Sequence, residues 1–63
     1  MHPIVSAKDL YNAAVERKPI YVRYGEDVYG PGIIEELTKD FVRLRIESSS
    51  DFFARSECSF YTD

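Results

Sequence analysis

Three stretches decide the fold: Ile20-Tyr21-Val22-Arg23-Tyr24, then Val28-Tyr29-Gly30-Pro31-Gly32-Ile33-Ile34, then Phe41-Val42-Arg43-Leu44-Arg45-Ile46-Glu47. In the third, Val42, Leu44 and Ile46 alternate with Phe41, Arg43 and Arg45, the period of a strand with one buried face. Ile20, Val22 and Tyr24 alternate in the same way with Tyr21 and Arg23. In the middle stretch, Gly30-Pro31-Gly32 interrupts an extended run with residues suited to a sharp bend or bulge. Gly25-Glu26-Asp27 and Thr38-Lys39-Asp40 supply turns between the three.

Upstream, the period is helical. Ser6 stands where an N-cap accepts from the N3 amide, and Asp9 at N3 suits the positive helix end. The pattern predicts a helix over 7–17 with an apolar stripe of Ala7, Leu10, Tyr11, Ala14 and Val15, and a hydrophobic staple between Val5 and Leu10. Arg17 and Lys18 suit the helix C-terminus, and Pro19 ends it. Downstream, Ser48-Ser49-Ser50-Asp51 is expected to be a polar loop, Phe52 to Ala54 a short strand, Arg55-Ser56-Glu57 a single tight helical turn, and Cys58 to Tyr61 a closing strand with Phe60 and Tyr61 as a second exposed cluster. The expected fold class is α+β, mainly β, in one domain spanning 1–63. An N-terminal helix covers one end of a small, strongly bent antiparallel barrel of four or five strands.

A chain of 63 residues buries only about 60% of its unfolded surface, so its core is small. Its formal charge of −3 leans against non-specific phosphate binding. Residues 1–31 balance at four basic and four acidic, whereas residues 32–63 hold four basic and seven acidic. The single cysteine, Cys58, forms no internal disulfide, and Met1 to Ile20 has no apolar run of leader or membrane-span length. Cytoplasmic localisation and no membrane association are therefore expected.

The helix, Ile20-Tyr21-Val22, a glycine in the next bent strand (Gly30 or Gly32), Ile33-Ile34, the acidic turn at Asp40 and Val42-Arg43-Leu44 together resemble the first half of an Sm-like barrel. The resemblance spans roughly residues 6–46 and extends to SH3-type small barrels in general. It implies the architecture. The turn before Val42 is Lys39-Asp40-Phe41, without the Asn of the Sm pattern, and no Arg-Gly pair follows in the last strands. Sm-type RNA binding is thus not carried over with the fold.

No catalytic, cofactor or metal motif stands in the sequence. His2 is expected to be an unstructured terminal residue and Cys58 a small buried hydrophobe with no histidine base beside it. Glu35 and Glu36, adjacent on a strand, are expected to point to opposite faces and so not to act as an acid/base couple. The Tyr29 to Gly32 segment lacks the Lys and Ser/Thr of a phosphate loop. No enzyme activity and no cofactor are expected.

With the apolar positions turned inward, Tyr21, Arg23, Phe41, Arg43 and Arg45 are expected to turn outward on neighbouring strands. Aromatic residues and arginine are enriched in protein-binding hot spots, and they also stack on nucleic acid. The bland alternative has the helix covering part of this face and the arginines paired with Glu35, Glu36 or Glu47. The preferred function is a non-catalytic protein-binding adaptor or regulator, similar in fold and size to stand-alone modules of bacteria and phages. The alternatives are an Sm-like RNA- or DNA-binding regulator and a structural subunit of a homo-oligomer.

Overall fold

The computed structural model describes residues 1–63 and runs β1 (His2–Ile4), α1 (Ala7–Val15), β2 (Ile20–Tyr24), β3 (Asp27–Leu37), β4 (Phe41–Ile46), β5 (Ser49–Ala54) and β6 (Cys58–Thr62). The strands form one antiparallel sheet in the order β1-β6-β2-β3-β4-β5. The bend expected at Gly30-Pro31-Gly32 lies in the middle of β3. From Asp27 to Gly32, β3 pairs with β2, with a register shift opposite the step from Val22 to Ile20; from Ile33 it pairs with β4. One strand thus joins two halves of the sheet, one built on β2 and one on β4.

Both glycines are required where the halves meet. Gly30, at φ +122°, lies where L side chains are strained, and a Cβ there would stand 2.8 Å from the Ile20 carbonyl oxygen. A Cβ on Gly32 would stand 2.7 Å from Leu44 Cγ and 2.8 Å from the Arg45 carbonyl oxygen. The backbone of β3 approaches its neighbours too closely for any side chain. The Gly30–Pro31 peptide bond is cis.

The sheet corrects the expected barrel in two respects. It has six strands rather than four or five, and it is not closed: β1 and β5 stand at its two ends. The physical reason is β1. Its residues His2, Pro3 and Ile4 pair with Thr62, Tyr61 and Phe60 and so occupy the outer edge of β6. His2 is accordingly part of a strand and not an unstructured terminus. What results is a small antiparallel sheet with one short helix, compatible with a barrel-like fold.

The helix starts as its sequence predicts, with the Asp9 N–H donating to Ser6 Oγ at 3.0 Å. It ends earlier than residue 17, at Val15, with Glu16 as the C-cap. Arg17 adopts φ +53°, its N–H donates to the Ala14 carbonyl, and the Lys18 N–H donates to the Ala13 carbonyl. These two bonds form a Schellman cap, which normally places glycine at the left-handed position. Arg17→Gly is therefore expected to raise stability by about 1 kcal/mol, less the added unfolded-state entropy. A thermal melt that shifts downward would contradict the cap.

The buried helix face is also narrower than expected. Leu10 is buried together with Ala13, which lies outside the expected stripe, and Ala14 packs against the core, whereas Ala7, Tyr11 and Val15 are exposed and Val5 is 87% exposed, so no staple forms. The core comprises Leu10, Ala13, Ile20, Val22, Ile34, Val42, Leu44 and Phe60. Ile20, Val22, Val42 and Leu44 are fully buried, and no polar or charged residue is buried with them. Ile46 is half-buried at the end of its strand. The alternation read from β2 and β4 thus fixes which faces turn inward.

The expected Ser48–Asp51 loop is instead a two-residue turn, Glu47-Ser48, after which Ser49 pairs directly with Ile46. Glu47 supplies the positive φ, at +57°, that such a tight hairpin requires. β5 therefore begins three residues earlier than the Phe52 start read from the sequence. Arg55 to Glu57 form a plain turn rather than a helical one, closed by the Glu57 N–H donating to the Ala54 carbonyl, and Phe60 is not exposed but buried in the core, while Tyr61 is half-buried.

Candidate functional site

The five outward residues do not form one continuous set, because β3 lies between β2 and β4. Tyr21 and Arg23 belong to the first sheet half. There Tyr21 stands opposite Tyr61, and Arg23 stands opposite Val28 on one side and Ser59 on the other. The Tyr21 hydroxyl donates to Asp63 Oδ2 at 3.5 Å and the Arg23 Nε donates to the Gly25 carbonyl at 3.0 Å. Both side chains are thus held by local partners.

Phe41, Arg43 and Arg45 share the outer face of the second half. Opposite them on β5 stand Ala54, Phe52 and Ser50. Phe41 meets Phe52 edge-on at 5.1 Å, and the Arg43 guanidinium lies 5.9 Å from the centroid of the Phe52 ring. Edge-to-face rings and a cation over a ring face are both attractive arrangements of the ring quadrupole. Phe52 nevertheless remains 61% exposed. The sequence alone does not assign Phe52 a face, because its orientation depends on a hairpin register that the serine run hides.

A β-bulge corrects the reading of Glu35 and Glu36. The pairing between β3 and β4 shifts between Ile34 and Glu36, so Glu35 is the extra residue and strict alternation breaks there. Both carboxylates then reach the arginine face. Arg43 Nε stands 3.6 Å from Glu36 and 3.9 Å from Glu35, shielded from solvent and without a hydrogen bond. Glu35 accepts from Arg45 Nε at 2.7 Å and from the Ser50 hydroxyl at 2.6 Å. A single carboxylate thus ties β3, β4 and β5 together across the outer face. Of the bland alternative, the arginine pairing holds for Glu35 and Glu36. The helix, by contrast, buries Leu10 and Ala13 in the core and leaves this face open.

The Ser50 hydroxyl and then the Arg45 guanidinium hold Glu35 below its ordinary acidity range. A carboxylate depressed on folding contributes stability above its unfolded value of about 4.3, and this contribution is lost as pH falls through the lower folded value. Acid unfolding of the parent is therefore expected to set in below that pH, and Glu35→Gln should flatten the dependence there. Superimposable acid titrations of the two proteins would show that the ionised carboxylate contributes nothing to stability.

The sequence's other reactive groups stay apart. Burial, and then the neighbouring Glu57, raise the Cys58 thiol above its ordinary range, which disfavours the nucleophilic thiolate. His2 pairs with Thr62 at the sheet edge, and no cluster of three or more His, Cys, Asp or Glu residues is placed to hold a metal ion. No helix is long and apolar enough to cross a membrane. Comparison with family models, curated proteins and solved structures finds no match to this chain.

Proposed function

We propose that the chain is a non-catalytic protein-binding module of the small-barrel, SH3-like type, acting as an adaptor or regulator. Its contact face is the outer surface of β3, β4 and β5, with Phe41, Phe52 and Arg43 as the anchors and Arg45 at the rim. The observation that carries this reading is the charge state of that face: Glu35 and Glu36 already engage Arg43 and Arg45. Two carboxylates beside two guanidinium groups leave no positive excess for a phosphate track, while the exposed Phe52 ring offers apolar area beside a stacked arginine. Tyr21 and Arg23, on the other sheet half, lie outside the contact face.

Retention on single-stranded RNA and DNA tests this against the Sm-like nucleic-acid reading. Phosphate contacts give a salt slope of about −0.7 per contact on single strands. The proposal expects no retention at physiological salt and no steep salt dependence below it. Low-micromolar binding that disappears in Arg43→Glu and Arg45→Glu variants that remain folded would overturn it in favour of nucleic acid.

A further inference from the structure

The two ends of the sheet differ. β6 is covered by β1, but β5 has no neighbour beyond it. Which backbone groups β5 leaves open follows from its ladder. The Arg55 N–H donates to the Asp40 carbonyl at 2.9 Å, so residues 40 and 55 form a hydrogen-bonded pair in the register that matches Phe41 with Ala54. Pairs alternate along an antiparallel ladder. Phe53, Asp51 and Ser49 therefore bond to β4, and Ser50, Phe52 and Ala54 turn their N–H groups to the open edge. The two-residue Glu47-Ser48 turn agrees, since it closes on a hydrogen-bonded Ile46/Ser49 pair.

Side chains flank this edge on both faces. Outside stands the exposed Phe52 ring. On the inner side, Tyr24, Tyr29, Phe53, Ala54, Glu57 and Cys58, together with Phe52 itself, line a shallow groove of about 290 Å³, with Tyr29 and Phe53 5.6 Å apart between ring centroids. Ligand pockets for small molecules begin at about 300 Å³ and enclose their occupant. This open groove suits a side chain presented by an added strand. Acidic residues stand in and near it: Glu57 lines it, Asp27 pairs with the lining residue Tyr24, and Asp51 lies two residues before the lining residue Phe53, opposite Leu44.

We propose that the open edge of β5 accepts an extended segment of a partner protein as an additional strand. The segment carries alternating apolar residues flanked by Lys or Arg. This rests on the protein-binding reading above and specifies how the partner binds. Main-chain bonds to Ser50 and Phe52 hold the segment, alternate side chains enter the groove or lie over Phe52, and its cations face Asp27, Asp51 and Glu57. A second copy of this chain fits the edge poorly, because it brings the same carboxylates and a like net charge of −3.

The test uses the full isotope-labelled chain and synthetic nonapeptides with apolar residues at alternate positions, one series flanked by lysine and one by glutamate. N-methylated versions of each peptide, in both registers, block strand pairing on one edge or the other while keeping the side chains. The lysine-flanked series is expected to shift and slow the exchange of the Ser50 and Phe52 amides. N-methylation in the pairing register should abolish this and N-methylation in the other register should not, and the glutamate series should bind more weakly. The proposal is overturned if neither series perturbs β5, or if both N-methyl registers bind alike. It is equally overturned if the β5 amides become protected with rising protein concentration and no peptide, which would mark a second copy. Should the peptides leave β5 untouched while a captured protein partner still depends on Phe52, the edge proposal fails and the protein-binding reading stands.

Discussion

Leu44→Ala is expected to lower the stability of the chain by about 2–5 kcal/mol, enough to leave so small a domain largely unfolded. Leu44 is fully buried, in a core of eight residues that contains no polar group. It pairs with Ile34 across β3 and its Cγ lies where a Gly32 side chain would have to go. Removing it opens a cavity at the bend, where both sheet halves meet and little can relax into the space. Chemical denaturation measures the loss. Arg43→Ala, one residue away on the outer face, should cost far less, because its partly exposed ion pairs with Glu35 and Glu36 are worth under about 1 kcal/mol each. A larger loss from Arg43→Ala than from Leu44→Ala would mean that the strand is inverted.

Gly30→Ala carries the other large effect. Its φ of +122° lies outside the regions open to alanine, and the new Cβ would meet the Ile20 carbonyl oxygen at 2.8 Å. Backbone strain of about 1–3 kcal/mol adds to an overpacking cost of similar size, and the atom in the way belongs to a backbone that cannot swing aside. A variant that folds is expected to melt well below the parent. Gly25→Ala is the natural comparison: Gly25 also has a positive φ but nothing within 4 Å of its Cβ position, so only the conformational part of the cost should appear. Equal losses at the two positions would show that close approach of β2 and β3 is not what the bend requires.

The sequence made the alternating strands, the bend and the helix start legible because each depends on local chemistry. Val22, Val42 and Leu44 declare their faces through a period of two, and Ser6 with Asp9 declares the cap. What it hid depends on long-range pairing. β1 is three residues long, too short to show a period, and exists through its bonds to β6. The start of β5 is polar because it lies at an edge, so Ser49, Ser50 and Asp51 read as loop. The helix end falls at an arginine in a conformation that glycine normally marks. The bulge at Glu35 adds one residue to a ladder, which no alternation reveals, yet it brings both carboxylates to Arg43. The candidate face was therefore half visible: β4 supplied Phe41, Arg43 and Arg45, while Phe52 and the two glutamates emerged only with the register.

Capture of binding partners from nuclease-treated and untreated lysate tests the protein-binding claim most directly, using the parent chain, Phe52→Ala, Arg43→Glu and Arg23→Glu. A protein partner should survive nuclease treatment, be lost or strongly weakened with Phe52→Ala and Arg43→Glu, and be retained by Arg23→Glu, whose side chain lies on the other sheet half. Loss of all captured protein on nuclease treatment, or dependence on Arg23 with indifference to Phe52, would contradict the account.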